Sequence, residues 1–269
     1  MAVRIAVALL TAWALTALFV PWLPLRPYRV ELEAILQVPA MHQWLGADDL
    51  GRPVLDRLLL GARTSFQVAI WVVGLSALIG IPVGSLAAYL GGWWDRLLVL
   101  VVDIFLAFPG ILLAIALAGL MGPGIDNLVL ALTIVGWVGY ARLARAQVLS
   151  VKQREHVLAA QALGTSDIII VARHLLPLIM APLVVEATFG IASVVIAESG
   201  LSFLGLGVQP PEASWGSMIQ TGVRYLLVAP HLVLAPGLAL FLVVFSVNLL
   251  GDRLRDRLDV RMNNKGAGK

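Results

Sequence analysis

Long apolar stretches recur along the whole chain, and their length and number restrict the folds open to it. An α-helix needs about 20 mostly apolar residues to cross the hydrocarbon core of a bilayer. Of the 269 residues, 60% are hydrophobic and 13% are charged, whereas a soluble domain carries about 25% charged residues. We therefore predict an all-α membrane protein with six transmembrane helices. The predicted spans are residues 5–23, 66–94, 97–121, 127–141, 178–198 and 232–250.

Basic residues indicate the orientation of these spans, because cytoplasmic loops of membrane proteins are enriched in Lys and Arg. The loop between spans four and five is basic, and so is the C-terminal tail. Six spans place both of them on the same side as the N-terminus, so we predict cytoplasmic N- and C-termini. The residues concerned are Arg4, Arg142, Arg145, Lys152, Arg154 and Arg173, with Arg253, Arg255, Arg257, Arg261, Lys265 and Lys269 in the tail.

The chain divides accordingly into a first span (1–24), an extracytoplasmic segment (25–65), a five-helix core (66–250) and a basic tail (251–269). Within the second part, an apolar face of four residues lies opposite Arg52, Asp56 and Arg63. This pattern predicts a helix lying flat on the outer membrane surface. The apolar face consists of Val54, Leu55, Leu58 and Leu59.

Small side chains recur every four residues in two of the predicted spans. Such a stripe lets another helix approach closely, either within the chain or across a subunit interface. The stripes are Ser76, Gly80, Gly84, Ala88 and Gly92, and Ala114, Ala118 and Gly122.

Residues 150–177 form a polar interruption between spans four and five. Ser150 and Gln153 have the spacing of a capping box, and Gly164 suits the left-handed position that ends a helix. Thr165 or Ser166 can then cap a second helix that carries Asp167 in its first turn. The segment is predicted to form two short cytoplasmic helices joined by a sharp turn.

The first of these helices has an apolar side made mostly of alanines. Alanine buries little area in lipid, so a helix that merely lies on the membrane is the less favoured interpretation. Small side chains instead allow the surface of a partner protein to come close to the backbone. The segment is therefore predicted to dock on another protein.

The segment resembles the cytoplasmic coupling loop of ABC-importer permeases, whose pattern is E-A-A, three residues, G, and a downstream L-P. Here Leu158-Ala159-Ala160 takes the first place, Gly164 follows at the same spacing and Leu176-Pro177 closes the motif. Leu158 departs from the family's glutamate, and Glu155 lies almost one turn earlier. The resemblance implies that the contact with the ATPase involves Glu155, Leu158, Ala159, Ala160, Leu163, Gly164, Thr165 and Asp167.

Three further stretches resemble one group within that family, the C-type permeases of dipeptide, oligopeptide and nickel importers. They are WLGADDLGRPVLDRLLLGARTSF (44–66), GLSFLGLGVQPPEASWGSMI (200–219) and NLLGDRLRDRLDVR (248–261). Pro53 replaces the aspartate of the family's G-R-D pattern, but proline is tolerated at the start of a helix.

The resemblance implies a type I ABC-importer permease fold in a bacterial or archaeal cytoplasmic (inner) membrane. The expected partners are a second, B-type permease, two ATP-binding subunits, an extracytoplasmic substrate-binding protein and the lipid bilayer. The sequence has no phosphate-binding loop of the form G-x-x-x-x-G-K-[ST], so ATP and Mg are expected in the partner ATPases. No catalytic residue, cofactor, metal site or nucleic-acid surface is expected in this chain.

Di- or oligopeptides are the expected substrates, with nickel or another metal chelate as the alternative. A secondary transporter would need internal repeats and broken helices meeting at mid-membrane. The sequence offers only weak candidates for such breaks, at Pro82 and Pro109-Gly110, and no repeat is visible. A membrane enzyme would need a cluster such as H-E-x-x-H or G-x-S-x-G, and the sequence contains neither.

Carboxylates inside membrane spans are costly and mark functional positions by default. Asp103 lies within reach of Arg96, which favours a structural role, and Glu198 lies at the outer end of span five. Glu186 follows Pro182 by about one turn, and it marks either substrate preference or a contact with a neighbouring subunit. Glu186, Asp103 and Glu198 are thus the candidates for the translocation path.

Overall fold

Helices make up the regular structure of the chain. The computed structural model describes residues 2–41 and 43–266, with side chains as far as residue 258, and this part contains two isolated β-bridges and no strand. The predicted tail extends beyond it, since residues 267–269 are outside the described part. The helices are α1 (Ala2–Phe19), α2 (Val54–Leu90), α3 (Gly92–Leu106), α4 (Gly110–Met121), α5 (Ile125–Val151), α6 (Glu155–Ala162), α7 (Asp167–Ile169), a π-helical turn (Ile170–Leu175), α8 (Leu176–Phe203), α9 (Trp215–Val223) and α10 (His231–Gly266).

Five helical runs of the described chain are long and apolar enough to cross a membrane: α1 with the turn that follows it, α2, α5, α7 to α8, and α10. The third predicted span, residues 97–121, is not straight, because α3 and α4 meet at an angle of 82°. Pro109 explains the break, since proline cannot donate a helical hydrogen bond and disfavours helical geometry at the preceding residue. Six spans are present if the bent pair counts as one.

The prediction of a separate surface helix in the outer segment was wrong. Val54 begins α2, a single helix of 37 residues, with Pro53 as its N-cap. Val54 and Leu60 are buried in a cluster with Met218 and Leu232 rather than facing lipid. The chain after α8 folds back over the outer end of α2 and supplies an apolar partner that periodicity alone does not reveal.

The fourth span is also longer than predicted, because α5 continues past the basic residues to Val151. Ser150 lies inside this helix and donates to the carbonyl of Gln147 at 2.7 Å, so the predicted capping box was wrong. The guanidinium of Arg145 donates to both carboxylate oxygens of Asp95 on α3, at 2.6 and 2.8 Å. This two-point ion pair gives Arg145 a partner and joins α3 to α5.

Close packing of α2 against α5 decides the role of the first small-residue stripe. A Cβ atom at Gly84 would collide with the carbonyl of Ala141, and one at Gly80 would collide with the backbone and side chain around Tyr140. The two backbones therefore meet where glycine leaves room. The stripe serves packing within the chain, and so does the second one, since Ala114 and Ala118 are buried against α2 and α5.

The structure separates two ends of the bundle. At one end, Arg57 of α2 contacts Asp48 at 3.4 Å and donates to the carbonyls of Pro27 and Pro211 at 3.4 Å, which joins the segment after α1 to the loop before α9. At the other end, α6 and α7 lie beside the C-terminal residues of α2. The predicted extracytoplasmic segment (25–65) and the loop before α9 thus share the end opposite α6.

We expect a cysteine introduced as Glu33→Cys to react with a membrane-impermeant thiol reagent added from outside the cell. The side chain is exposed, and the chain has no native cysteine to react in the background. A matched Gln153→Cys variant, in the loop before α6, should react only after the membrane is permeabilised. The reverse labelling pattern would show that the predicted orientation is inverted.

Candidate functional site

The polar element between α5 and α8 contains a sharply defined turn. Gly164 has a φ angle of +75°, as predicted for a left-handed helix end. Its amide donates to the carbonyl of Gln161 at 2.9 Å, and the amide of Thr165 donates to the carbonyl of Ala160 at 3.1 Å. These two bonds form a Schellman motif, which satisfies the last carbonyls of α6 and fixes the direction of α7.

One side of α6 is fixed to the membrane helices. Val157 and Ala160 are buried in a cluster formed with the ends of α2, α5 and α8. The side-chain amide of Gln161 donates to the hydroxyl of Tyr89 at 2.9 Å, and the ammonium of Lys152 donates to the carbonyl of Ala88 at 2.9 Å. The element is therefore packed on, and hydrogen-bonded to, the ends of the membrane helices beneath it.

The opposite side is exposed and unusually apolar for a surface helix. Leu163 is 85% exposed, Ile168 72% and Leu158 44%. The predicted contact residues mostly lie on this side, but Ala160 faces the chain's own core and does not belong to the exposed surface. The outward members are Glu155, Leu158, Ala159, Leu163, Gly164 and Asp167, with Thr165 half-buried.

Glu198 does not lie on an open path, although the sequence makes it a candidate. Its side chain is fully buried and accepts hydrogen bonds from Ser65 at 2.9 Å and Ser202 at 2.8 Å. Ser199 donates at a longer 3.4 Å, and Ser214 completes the ring of hydroxyls. This carboxylate joins α2, α8 and the N-terminus of α9, which predicts a structural role.

Asp103 is exposed on α3 and lies away from the cavities described below. The predicted proximity to Arg96 is not an ion pair in the described structure, where the ion pair of α3 is instead the one between Asp95 and Arg145. Asp103 therefore marks the outer surface of the bundle and not its interior.

Glu186 is the candidate that the structure places in a cavity. Helices α2, α4, α5 and α8 line a partly open cavity of 290 Å³ that is mostly apolar. Its lining residues include Glu186, Ser76 and Tyr140, and the hydroxyl oxygens of the two latter residues are packed against the backbone of facing glycines. Both hydroxyls are buried and have no hydrogen-bond partner within the described residues.

A second cavity of 410 Å³ lies between α5, α8 and α10, closer to the α6 end of the bundle. Glu186 and Phe189 line both cavities and so stand between them. The ring of Phe189 is held against Gly251 of α10, where a Cβ atom would lie 2.9 Å from it. Two spaces along α8 are thus separated by one carboxylate and one aromatic ring.

Sequence reasoning missed most of this cavity. Tyr140 gives no signal in the sequence, because an aromatic residue in an apolar helix is ordinary. Glu186, Gly190 and Ser193 follow a helical spacing on α8 that could have indicated a common face. Ser76 belongs to the small-residue stripe, which the sequence indicates only as a packing surface.

Membrane-crossing helices around cavities, with a two-helix element at one end, define the class of protein: the membrane subunit of a transporter. The family comparison makes this specific. The model of the family described as binding-protein-dependent transport system inner membrane component matches residues 80–264, and the chain belongs to that family. It is a permease subunit of an ABC importer and resides in the inner membrane.

Curated relatives and solved structures agree with this assignment. The chain is 40% identical over 250 residues to the glutathione transport system permease protein GsiD of Escherichia coli O6:K15:H31 and of Shigella boydii serotype 4, covering 91% of this chain and 82% of each relative. It also resembles a chain of the inward-facing MetNI methionine ABC transporter, with a TM-score of 0.63 and 20% identity over 77% of this chain and 98% of that one. The latter likeness supports the type I permease fold.

Proposed function

We propose that this chain forms half of a translocation path for small peptides and that α6 and α7 carry the motion of ATPase subunits into the bundle. The complete importer would contain a second, B-type permease, two ATP-binding subunits and an extracytoplasmic binding protein. The observation that carries the proposal is the difference between the two faces of α6. One face is buried in the core of the bundle, and the other exposes apolar side chains.

The geometry supports docking of a protein at this surface. Apolar side chains are exposed next to charged ones on this surface, namely those of Leu158, Leu163 and Ile168. This arrangement complements a groove on a partner protein that has an apolar floor and a polar rim. A binding groove that closes on ATP would push α6, and Val157 would pass the displacement to the ends of α2, α5 and α8. Such rigid-body motion is one route to alternating access.

The choice of peptides rests on the relatives and on the cavity. The GsiD proteins are named for glutathione transport, and glutathione is a tripeptide with a free ammonium group. The cavity beside Glu186 offers a carboxylate, whose charge suits such a group. A metal chelate remains the competing substrate class, and the experiment below includes it.

The test is purification of the tagged chain from its native membrane in mild detergent, followed by reconstitution into liposomes with the binding protein. We expect two ATPase subunits and one other permease to co-purify, and ATP to drive uptake of labelled peptide. Uptake of nickel or a nickel chelate instead of peptide would reassign the substrate. Purification without ATPase subunits would contradict the coupling role.

We expect Ala159→Trp to abolish ATPase co-purification, because bulk on the exposed face prevents close packing of an interface. Ala159→Ser adds little volume and is the matched control that should retain the ATPases. Ala160→Trp tests the other side of the helix: it should lower the unfolding temperature of the permease itself, since Ala160 is buried in the chain's core. Normal ATPase recovery with Ala159→Trp would contradict docking at this surface.

A further inference from the structure

The span formed by α3 and α4 is broken inside the membrane. Helix α3 starts at Gly92, beside the end of α2 that packs on α6, and α4 ends at Met121, near the start of α5 at the opposite end of the bundle. Helix α3 has 15 residues and α4 has 12, so each is too short to cross the bilayer alone. The break between them, at residues 107–109, therefore lies within the hydrocarbon region.

The backbone at this break lacks the hydrogen bonds that a continuous helix would supply. Pro109 has no amide hydrogen, and the carbonyls of Ala107 and Phe108 accept no hydrogen bond from the described residues. The amides of Gly110 and Ile111 are the first of α4 and have no partner within their own helix. Residues 106–110 are all exposed on this chain. Irregular backbone at membrane depth is tolerated only where protein or water, and not lipid, covers it.

A carboxylate lies on the same side of the chain as the break. Asp103 is exposed and precedes Ala107 by one turn, so the two residues share a helix face. Its carboxylate has no hydrogen bond or ion pair with the described residues. Arg145 attracts it electrostatically, but the guanidinium of Arg145 donates to both carboxylate oxygens of Asp95. Asp103 lies about 16 Å along α3 from Gly92, and its side chain is much shorter than the Lys and Arg chains that reach water from such depths.

Large apolar side chains surround these polar groups and favour a protein partner over water. Leu100 is 58% exposed and Ile104 is 55% exposed, and both flank Asp103 on its helix face. Phe108, at the break itself, is 59% exposed. An apolar patch that contains a few polar groups is typical of a protein interface. We call this surface the elbow face; it consists of Leu100, Asp103, Ile104 and residues 106–110.

We propose that the elbow face is where a second permease subunit contacts this chain, and that this subunit supplies a cation or another hydrogen-bond donor to Asp103. The inference rests on the proposed function, which provides a second permease in the same membrane. Lipid satisfies neither the carboxylate nor the bare carbonyls. Gly110 and Ile111 also line the partly open cavity of 290 Å³, so a subunit seated on the elbow face borders that cavity as well.

The test places the photoreactive residue p-benzoylphenylalanine at position 108 of the tagged chain, in its native membrane with the other subunits present. Irradiation joins this residue to whatever covers the elbow face, and mass spectrometry identifies the product. We expect a covalent adduct with the second permease. The same replacement of Phe241, which is 58% exposed within the spanning part of α10, is the matched control and should give less of that adduct.

Variants of Asp103 test the proposed charge contact. Asp103→Leu removes the carboxylate, a change that lipid would favour. Against a donor of the second permease, it should instead lower the recovery of that subunit with the tagged chain about tenfold, as on losing a charge-assisted hydrogen bond. Asp103→Asn keeps an acceptor oxygen and should retain more of the partner. Asp126→Leu removes the same charge from an exposed position at the start of α5 and should leave the recovery unchanged.

The possible outcomes separate this contact from the proposed function. The inference is overturned by the absence of a protein adduct at position 108, by an equal yield of the adduct at position 241, or by wild-type recovery with Asp103→Leu. If the probe at position 108 prevents membrane insertion, position 100 decides, because Leu100 lies on the same face. An adduct with a second copy of this chain would overturn the second permease as the occupant. An adduct with the second permease, in a complex that takes up no peptide, would support the contact and contradict peptide import.

Discussion

Gly164→Val is expected to uncouple ATP hydrolysis from transport while leaving the membrane helices folded. The φ angle of Gly164 is +75°, a region that a β-branched residue enters only at a cost of about 1–2 kcal/mol. A side chain there would meet open space, since nothing lies within 4 Å of the Cβ position. The damage is therefore confined to the backbone of the turn, which sets the direction between α6 and α7.

The matched control for this turn is Gly164→Asn. Asparagine enters the left-handed region more readily than other side chains and also ends helices. It should retain most of the coupling, although it is bulkier than glycine. The measurement is ATP hydrolysis and peptide uptake on the same proteoliposomes; a loss of coupling with both variants would mean that bulk, and not backbone conformation, is the cause.

Glu198→Ala is expected to have the largest effect on stability. The substitution removes the acceptor shared by Ser65 and Ser202 and leaves buried hydroxyls without a partner. Each unsatisfied buried group costs about 1–3 kcal/mol, so a loss of about 3 kcal/mol is reasonable. For a chain of this size that corresponds to about 6–12 °C in unfolding temperature.

Glu198→Gln is the conservative counterpart. The amide keeps one acceptor oxygen, and a serine hydroxyl can rotate to accept from its nitrogen. We expect it to lose about a third of the stability that Glu198→Ala loses, with tryptophan fluorescence as the readout, since Trp215 lies one residue after Ser214. An unfolding temperature of Glu198→Ala within 1 °C of the wild type, on the order of the measurement error, would refute the structural role.

Trp215, which follows Ser214, connects the surroundings of Glu198 to α1 and α2. The indole of Trp215 stacks on Trp13 of α1 with ring centroids 6.1 Å apart and donates to the carbonyl of Leu58 at 3.1 Å. The indole of Trp13 donates to the carbonyl of Ala62 at 2.9 Å. Helices α1, α2 and α9 therefore meet in one place, next to the carboxylate of Glu198.

Much of the helical arrangement follows directly from the sequence. Apolar length identifies the spans, because a membrane leaves the backbone no alternative to internal hydrogen bonding. The left-handed turn at Gly164 and the break at Pro109 are also predictable, since each depends on the covalent geometry of one residue. The two-helix element within residues 150–177 could be recognised for the same reason, as its turn and its small residues are local features.

Helix ends and the partners of buried groups required the tertiary structure. Val54 carries an amphipathic pattern that fits a membrane surface equally well, and only the chain folded back around Met218 makes it the buried start of α2. In the same way, only the packing of α3 against α5 gives Arg145 its charge partner, Asp95. Neither partner is close in sequence, so periodicity cannot find it.

The sequence by itself determined which residues enter the membrane and where the chain must turn, because hydrophobicity and backbone geometry act locally. The sequence also showed that Glu186 and Glu198 place carboxylates within a membrane span, where they cost free energy. It did not show that the surroundings of the two carboxylates differ. Only the packing of α2, α5 and α8 decided that Glu198 is enclosed by serines and that Glu186 faces a cavity. The environment of a buried charge depends on side chains brought together from distant parts of the chain, and that is information which only the fold contains.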